Sequence, residues 1–450
     1  MMKRALAVIL AAGFAVGVYA TDARVAVMGR QPGTPYFYRD EVSVFINPAD
    51  MSLYPNLIYG SFGWMDPGSS SEGDKLKNMQ PNDPLFGGMI SYGFTDEESG
   101  PMLSIGAFVN RRDYMLDRLV KAGGKKDRWL TYSEASGSYY YADKDTSRNN
   151  LEEPLGKLDL LVGYDMGNGL AMGLGVYAAY QCEREGGFAK NKTALFKTTL
   201  GINYNIEQGL DLEASVNVGT SSAMWMPDTI MKPLLETGRT IVSNGDMFLR
   251  GDLRFFSAVP AINGSFVPQV SLEYMTLEGK KYNPEKTINA ATNQPEPGWD
   301  ENKKNITDLA GGVGINMNID RGFFWTGLQG VYTQTNNTDS KIDDESSIGA
   351  RLSFGIERNI VWDWFLIRVG GQKEFRYTTK GGSDGVSKWW ENNASDGEDG
   401  DLVGLGFGIN IDNRLRIDFV ASEDLPYTLT NLISGSQNHL FNRVSATYRF

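Results

Sequence analysis

The chain has 450 residues and a formal net charge of −12, an acidity that speaks against nucleic acid, whose partners are usually basic. Its mean hydropathy of −0.32 is too polar for a helical membrane protein, and nothing after Ala20 approaches the ~18 consecutive apolar residues of a spanning helix. A single cysteine, Cys182, excludes an intramolecular disulfide framework and a cysteine-based zinc site. The 52 glycines and the 12% aromatic content fit a third arrangement, in which alternating strands hide an apolar face behind a polar average.

Residues 1–20 read as a secretory signal peptide. Lys3 and Arg4 precede an apolar run from Ala5 to Val18, and Val18-Tyr19-Ala20 puts small residues at the cleavage positions. Residues 21–56 form a separate N-terminal segment. Pro32, Pro35 and Pro48 rule out a long helix there, and Asn47-Pro48 is by itself a turn former.

From residue 57 onward the chain alternates strands with connections of two lengths. The first strand is expected near Leu57–Trp64. Long stretches at Met65–Pro84, Tyr114–Pro154, Arg184–Lys192, Met224–Gly245, Asn283–Asn305, Asn336–Glu345, Lys380–Gly400 and Glu423–Asn438 alternate with short ones, such as Gly167–Gly169, Val259–Gly264 and Asp320–Gly322. The count is about sixteen strands, with fourteen as the alternative. Short turns on one side and long loops on the other are what an outer-membrane barrel requires, as is an even count. The expected architecture is all-β: one transmembrane antiparallel barrel over residues 57–450, its lumen plugged by residues 21–56.

The period of two assigns faces. Along Leu170–Tyr180 the apolar residues Leu170, Met172, Leu174 and Val176 point one way and small residues the other; Val403, Leu405, Phe407 and Ile409 repeat the pattern. Trp362, Trp364, Phe323, Phe324 and Trp325 cluster at short turns, as an interfacial aromatic girdle does. The polar face carries charge: Arg250, Asp252 and Arg254 on one strand, then Arg351, then Arg368 and Arg376, then Arg416 and Asp418, then Arg443. Turned to lipid, each Arg would cost about 2–4 kcal/mol at mid-depth. They are therefore expected to face the lumen, either lining water or pairing across it, with the last strands forming a basic wall.

The last strand ends Val444-Ser445-Ala446-Thr447-Tyr448-Arg449-Phe450. It resembles the closing strand of bacterial outer-membrane barrels, whose terminal Phe, with Tyr two places earlier, signals to the barrel assembly machinery. That resemblance implies a role for Tyr448 and Phe450. Upstream, Ala23 to Gly29 is followed by Asp40-Glu41-Val42-Ser43-Val44-Phe45-Ile46 and then Asn47-Pro48-Ala49. These residues resemble the N-terminal region of the FadL-like superfamily, the long-chain fatty-acid transporters and their relatives. The resemblance implies that the segment folds into the lumen as a hatch, with Asn47, Pro48 and Ala49 turning before strand one. Asp50 stands where the family usually has Gly, and the family barrel has fourteen strands.

Three functions compete on these grounds. The first is an outer-membrane channel for passive uptake of small or hydrophobic solutes. The second is a non-transport barrel that presents partners on long loops such as Tyr114–Pro154. The third is a general trimeric porin; no enzyme, cofactor or metal is expected. His439, the one histidine, reads as an interfacial residue at a strand end rather than half of a Ser-His pair. The acidic run Asp396-Gly397-Glu398-Asp399-Gly400-Asp401 lacks EF-hand spacing and reads as a solvated loop. The expected partners are outer-membrane lipid, the assembly machinery and a solute, with a homo-oligomer open.

Overall fold

The computed structural model describes residues 22–28, 37–63, 84–95, 100–123, 128–133, 138–143, 151, 153–185, 188–206, 209–225, 240–282, 288–289, 294–295, 299–338, 343–360, 362–382, 385–392, 402–412, 414–421 and 441–450. Sixteen strands, numbered β1–β16 in chain order, form the wall. They are β1 (Leu57–Gly63), β2 (Leu85–Gly93), β3 (Met102–Val109), β4 (Gly156–Asp165), β5 (Leu170–Glu185), β6 (Phe188–Ile206), β7 (Leu210–Trp225) and β8 (Thr240–Val259). They continue as β9 (Gly264–Tyr282), β10 (Trp299–Ile319), β11 (Gly322–Asn337), β12 (Asp344–Asn359), β13 (Phe365–Gly382), β14 (Leu402–Ile411), β15 (Leu415–Ala421) and β16 (Phe441–Arg449). Each pairs antiparallel with its chain neighbours. Register from Leu57↔Arg449 to Gly63↔Arg443 joins β1 to β16 and closes the sheet. Closure removes both edges, and with them the unpaired backbone groups that a bilayer does not tolerate.

Alternation follows the polarity of the residues. On β4 the even-numbered Leu158, Leu160 and Val162 are exposed, while Lys157 and Asp159 are buried. On β14, Val403, Leu405 and Ile411 are exposed, and Gly404, Gly406 and Gly408 face inward. The outer surface is thus an apolar band, as lipid requires, and the ionic residues line the inside. The short turns hold residues in the left-handed region, among them Gly169, Gly209, Asn263, Arg321 and Asp412, which lets each chain reversal be tight.

Three sequence expectations change. Arg184–Lys192 is not a long loop, because β5 and β6 run through it to residues 185 and 188, with an irregular register after Glu183. Lys380–Gly400 contains an extra strand, Gly385–Asn392, which pairs with the outer half of β13. Phe323 and Trp325 do not join the girdle: being odd-numbered on β11 they share the inward face, and both are buried. Trp362 and Trp364 do face out, with their rings stacked 5.2 Å apart. His439 and the acidic run 396–401 lie outside the described residues.

Candidate functional site

The lumen is occupied from below by the N-terminal segment. Its pieces are a short helix, α1 (Asp22–Val27), and two 3-10 turns, Glu41–Phe45 and Pro48–Leu53. Side chains start both turns. Asp40 Oδ1 accepts the Ser43 amide at 3.0 Å, and Asn47 Oδ1 accepts the Ala49 amide at 3.1 Å. Pro48 at the first position of the second turn has its φ preset and no N–H to leave unpaired.

Asn47, Pro48 and Ala49 lie against β5 and β6. Asn47 Nδ2 donates to Asn203 Oδ1 at 2.6 Å. A Cβ at Gly173 would overlap the Pro48 and Ala49 backbone, and one at Gly201 would overlap the Asn47 side chain. The wall is therefore glycine where the motif presses on it. Asp50 extends the same network: its Oδ1 accepts from Asn203 Nδ2 at 2.5 Å and its Oδ2 from the Ser43 hydroxyl at 2.5 Å. Burial, with Glu213 adding to it, pushes the Asp50 carboxyl up to about 6, against the pull of Arg254 and Arg39.

Two arginines of the segment tie it to opposite sides of the barrel. Arg24, fully buried, donates to Glu357 through Nε at 2.8 Å and Nη2 at 2.9 Å. Glu357 also receives Arg368 at 2.9 Å and Arg416 at 3.1 Å. Asp418 pairs with Arg368 at 2.7 Å and with Arg416 at 3.1 Å. Arg39 reaches the other side, pairing with Asp211 at 2.9 Å and with Glu213 on β7. Glu213 holds Arg254 at 2.5 Å. Between these anchors Phe37 fills the space left by Gly314 and Gly327, and Tyr38 packs on Phe323 and Trp325. The sequence led us to expect wall arginines hydrogen-bonding the segment's backbone. Arg254 does contact the Tyr38 carbonyl, at 3.4 Å, but the stronger bonds run from the segment's own arginines to wall carboxylates. The expected basic wall is correspondingly a neutralised cluster.

The other sequence-predicted lumen residues are inward as well. Arg250 and Asp252 pair at 3.0 Å. Arg351 meets Glu374 at 2.8 Å, and Arg376 contacts the same carboxylate. Arg443 is buried. Tyr448 and Phe450 are on the exposed, lipid-facing side.

A second obstruction was not foreseen. Tyr114–Pro154 read as an external loop, yet its first part is a helix, α2 (Tyr114–Ala122), lying within the upper barrel. Asp113 caps it, accepting the Met115 amide at 3.1 Å. Met115, Leu116, Leu119 and Val120 pack on inward Tyr177, Leu195, Phe248 and Met275. Burial alone would raise the Asp113 carboxyl, but Lys197 at 2.5 Å and Arg111 at 3.1 Å outweigh it and hold the group well below the usual range. On the polar face Arg118 pairs with Glu273 at 2.5 Å and Asp308 at 2.6 Å. The signal was present: apolar residues at 115, 116, 119 and 120 have a helical period. Arg111 connects the two obstructions, its guanidinium 4.6 Å from the ring centres of both Phe45 below and Tyr177 in the wall.

Among the described residues no group of three His, Cys, Asp or Glu side chains is arranged to hold a metal. Cys182 is half-buried, its Sγ 4.0 Å from the Glu183 carbonyl.

No family model matches the sequence, and no curated protein does. Among solved structures, CymD, a monoaromatic hydrocarbon channel, is 11% identical with a TM-score of 0.37, covering 96% of this chain and 99% of its own. The Pseudomonas putida toluene transporter TodX is 9% identical with a TM-score of 0.36, covering 95% and 96%. The E. coli K12 ferric-catecholate import receptor Fiu is 8% identical with a TM-score of 0.31, covering 88% and 82%. The barrel assignment rests on the strand pairing and burial above, not on these overlaps.

Proposed function

We propose that the chain is an outer-membrane channel held shut in this conformation by its own N-terminal segment, and that solutes pass when the segment moves. One observation carries the reading. Residues 22–28 and 37–54 bridge opposite sides of the barrel through Arg24–Glu357 and Arg39–Glu213, and no wall strand continues into them. A part that only stabilised the barrel could be added as wall; this one fills the opening instead. The filled cross-section favours a gated path over a general open porin. Passage of small or hydrophobic solutes fits the apolar upper lumen, where Leu195, Phe248, Met275 and Leu277 face inward under α2.

Planar-bilayer conductance tests this. The intact protein should show small, infrequent openings, and deletion of residues 21–50 should give a steady, large conductance. Steady porin-sized conductance in the intact protein would overturn it. The partner-presenting reading has one observation in its favour: the extra strand Gly385–Asn392, outside the wall proper, exposes Val386 and Trp390. Loss of a pulled-down partner on deleting 385–392, with solute flux unchanged, would select that alternative.

A further inference from the structure

We propose that the recess filled by Arg39 is a binding site for organic cations carrying a guanidinium or primary ammonium group, which enter in competition with Arg39 itself. The proposal rests on reading the N-terminal segment as a movable barrier. It names a class of solute that the barrel can recognise.

The recess is built by three adjacent strands. Asp211 and Glu213, two residues apart on β7, both point inward and both hold the Arg39 guanidinium, Asp211 Oδ2 at 2.9 Å from Nη1. Phe256 on β8 supplies a floor, its ring centre 4.3 Å from the same guanidinium. Two carboxylates in a line with an aromatic face beneath is the arrangement that recognises a planar or compact organic cation. On β9, Gln269 is the register partner of Arg254, which is itself bound to Glu213. Gln269 faces the same lumen, is 6% exposed, and neither its side-chain nitrogen nor its side-chain oxygen has a hydrogen-bond partner. A buried amide left without partners is costly, and a ligand group that bonds it would recover that cost.

The two arginines of the segment differ in accessibility. The Arg24 side chain is fully buried and held through Nε and Nη2 by Glu357. The Arg39 side chain and its partner Asp211 are each 23% exposed. Asp211 is the second residue of β7, two places after Gly209 and close to where β6 ends at Ile206, so the recess lies beside the short-turn mouth of the barrel. A solute at that mouth meets Arg39 and not Arg24.

Charge selects the occupant. Asp50, Asp211 and Glu213 face Arg39 and Arg254 here. If Arg39 leaves, carboxylates are in excess at a partly buried site. An arriving cation compensates them, whereas a neutral isostere or an anion leaves them unpaired.

Arg39→Ala in the full-length protein empties the recess, and heat-modifiable gel migration confirms that the barrel has formed. Calorimetric titration with butylguanidinium and with its neutral analogue butylurea then reads the site. Arg39→Ala should bind butylguanidinium at least tenfold more tightly than the unaltered protein, where Arg39 competes. Adding Asp211→Asn should reverse most of that gain, and butylurea should bind neither form. Equal affinity with and without Arg39, or a gain that survives Asp211→Asn, would reduce the effect to diffuse attraction and overturn the site. The barrier reading is judged separately. If deleting residues 21–50 opens the pore while Arg39→Ala binds no cation, the site fails and the barrier stands. If Arg39→Ala binds as expected but the deletion leaves conductance unchanged, the site stands and the barrier fails.

Discussion

At the scale of single residues, Asp50 should make the proposed closed state sensitive to pH. Its carboxyl titrates near 6 when docked, above the ordinary value of 3.8, because burial and Glu213 disfavour its charge. A raised carboxyl pKa means that the docked state binds the proton more tightly than the released state. Docking is therefore favoured at pH below the ordinary value and weakens as pH rises through about 6. Channel openings in planar bilayers should become more frequent between pH 5 and pH 7. Asp50→Asn should flatten that dependence, and a profile that stays equally steep in the variant would remove Asp50 as its source. Arg24 acts differently, because it is permanently charged. Arg24→Ala leaves Glu357 with Arg368 and Arg416, so the carboxylate is not orphaned. The loss should sit at the low end for a buried pair, about 3 kcal/mol. That is roughly a hundredfold in the ratio of open to closed states, readable as open-channel probability.

At the scale of elements, contact between the second 3-10 turn and β5 depends on the absence of a side chain. Gly173→Val places atoms where the Pro48 and Ala49 backbone lies, so the segment has to leave while the wall remains. Conductance should rise with heat-modifiable migration unchanged. Gly251→Ala is the matched control, since a Cβ there has nothing within 4 Å. In the upper barrel, Leu116→Asp puts a charge on the fully buried face of α2. It should expel that helix and expose residues near Tyr114 to added protease in intact outer membranes. The strands were legible in the sequence because both solvents of a barrel leave a mark: a lipid-facing residue and a lumen-facing one alternate at period two, and the turns carry Gly, Asn or Asp. The ends of β5 and β6 were not legible, because Arg184, Glu185 and Lys190 are as polar as a loop, although the backbone there continues to pair above the apolar band. The triplet Asn47-Pro48-Ala49 marked a turn, but its partners Gly173 and Asn203 lie more than a hundred residues away and no local pattern joins them. The same holds for Arg24 and Glu357. The helical period of α2 was readable; its direction into the lumen was not, because an apolar stripe does not say which surface it covers.

At the scale of the whole molecule, the barrel inverts a soluble protein. Its core of ion pairs is inside a wall whose outer face is apolar, and charges that lipid would reject are neutralised across the opening. One contact in that core has a consequence in time. The amide of Ala23 donates to the hydroxyl of Ser445 at 3.2 Å, joining residues 422 positions apart. Arg24 likewise needs Glu357 and Arg416, and the Ser445 hydroxyl that holds Ala23 lies 2.8 Å from the Ser61 hydroxyl on β1, so α1 lacks its full seat until β12 to β16 exist and β16 has paired with β1. The earliest part of the described chain is thus the last to settle, and its arrival certifies that the ring is complete. During pulse-labelled assembly, resistance of the N-terminal segment to protease should lag behind heat-modifiable migration. A strand-pairing defect such as Ser61→Pro at the seam should leave the segment cleavable however much of the wall has formed. An unfinished barrel would therefore be an open one, and damage to the seam would be felt first as leakage.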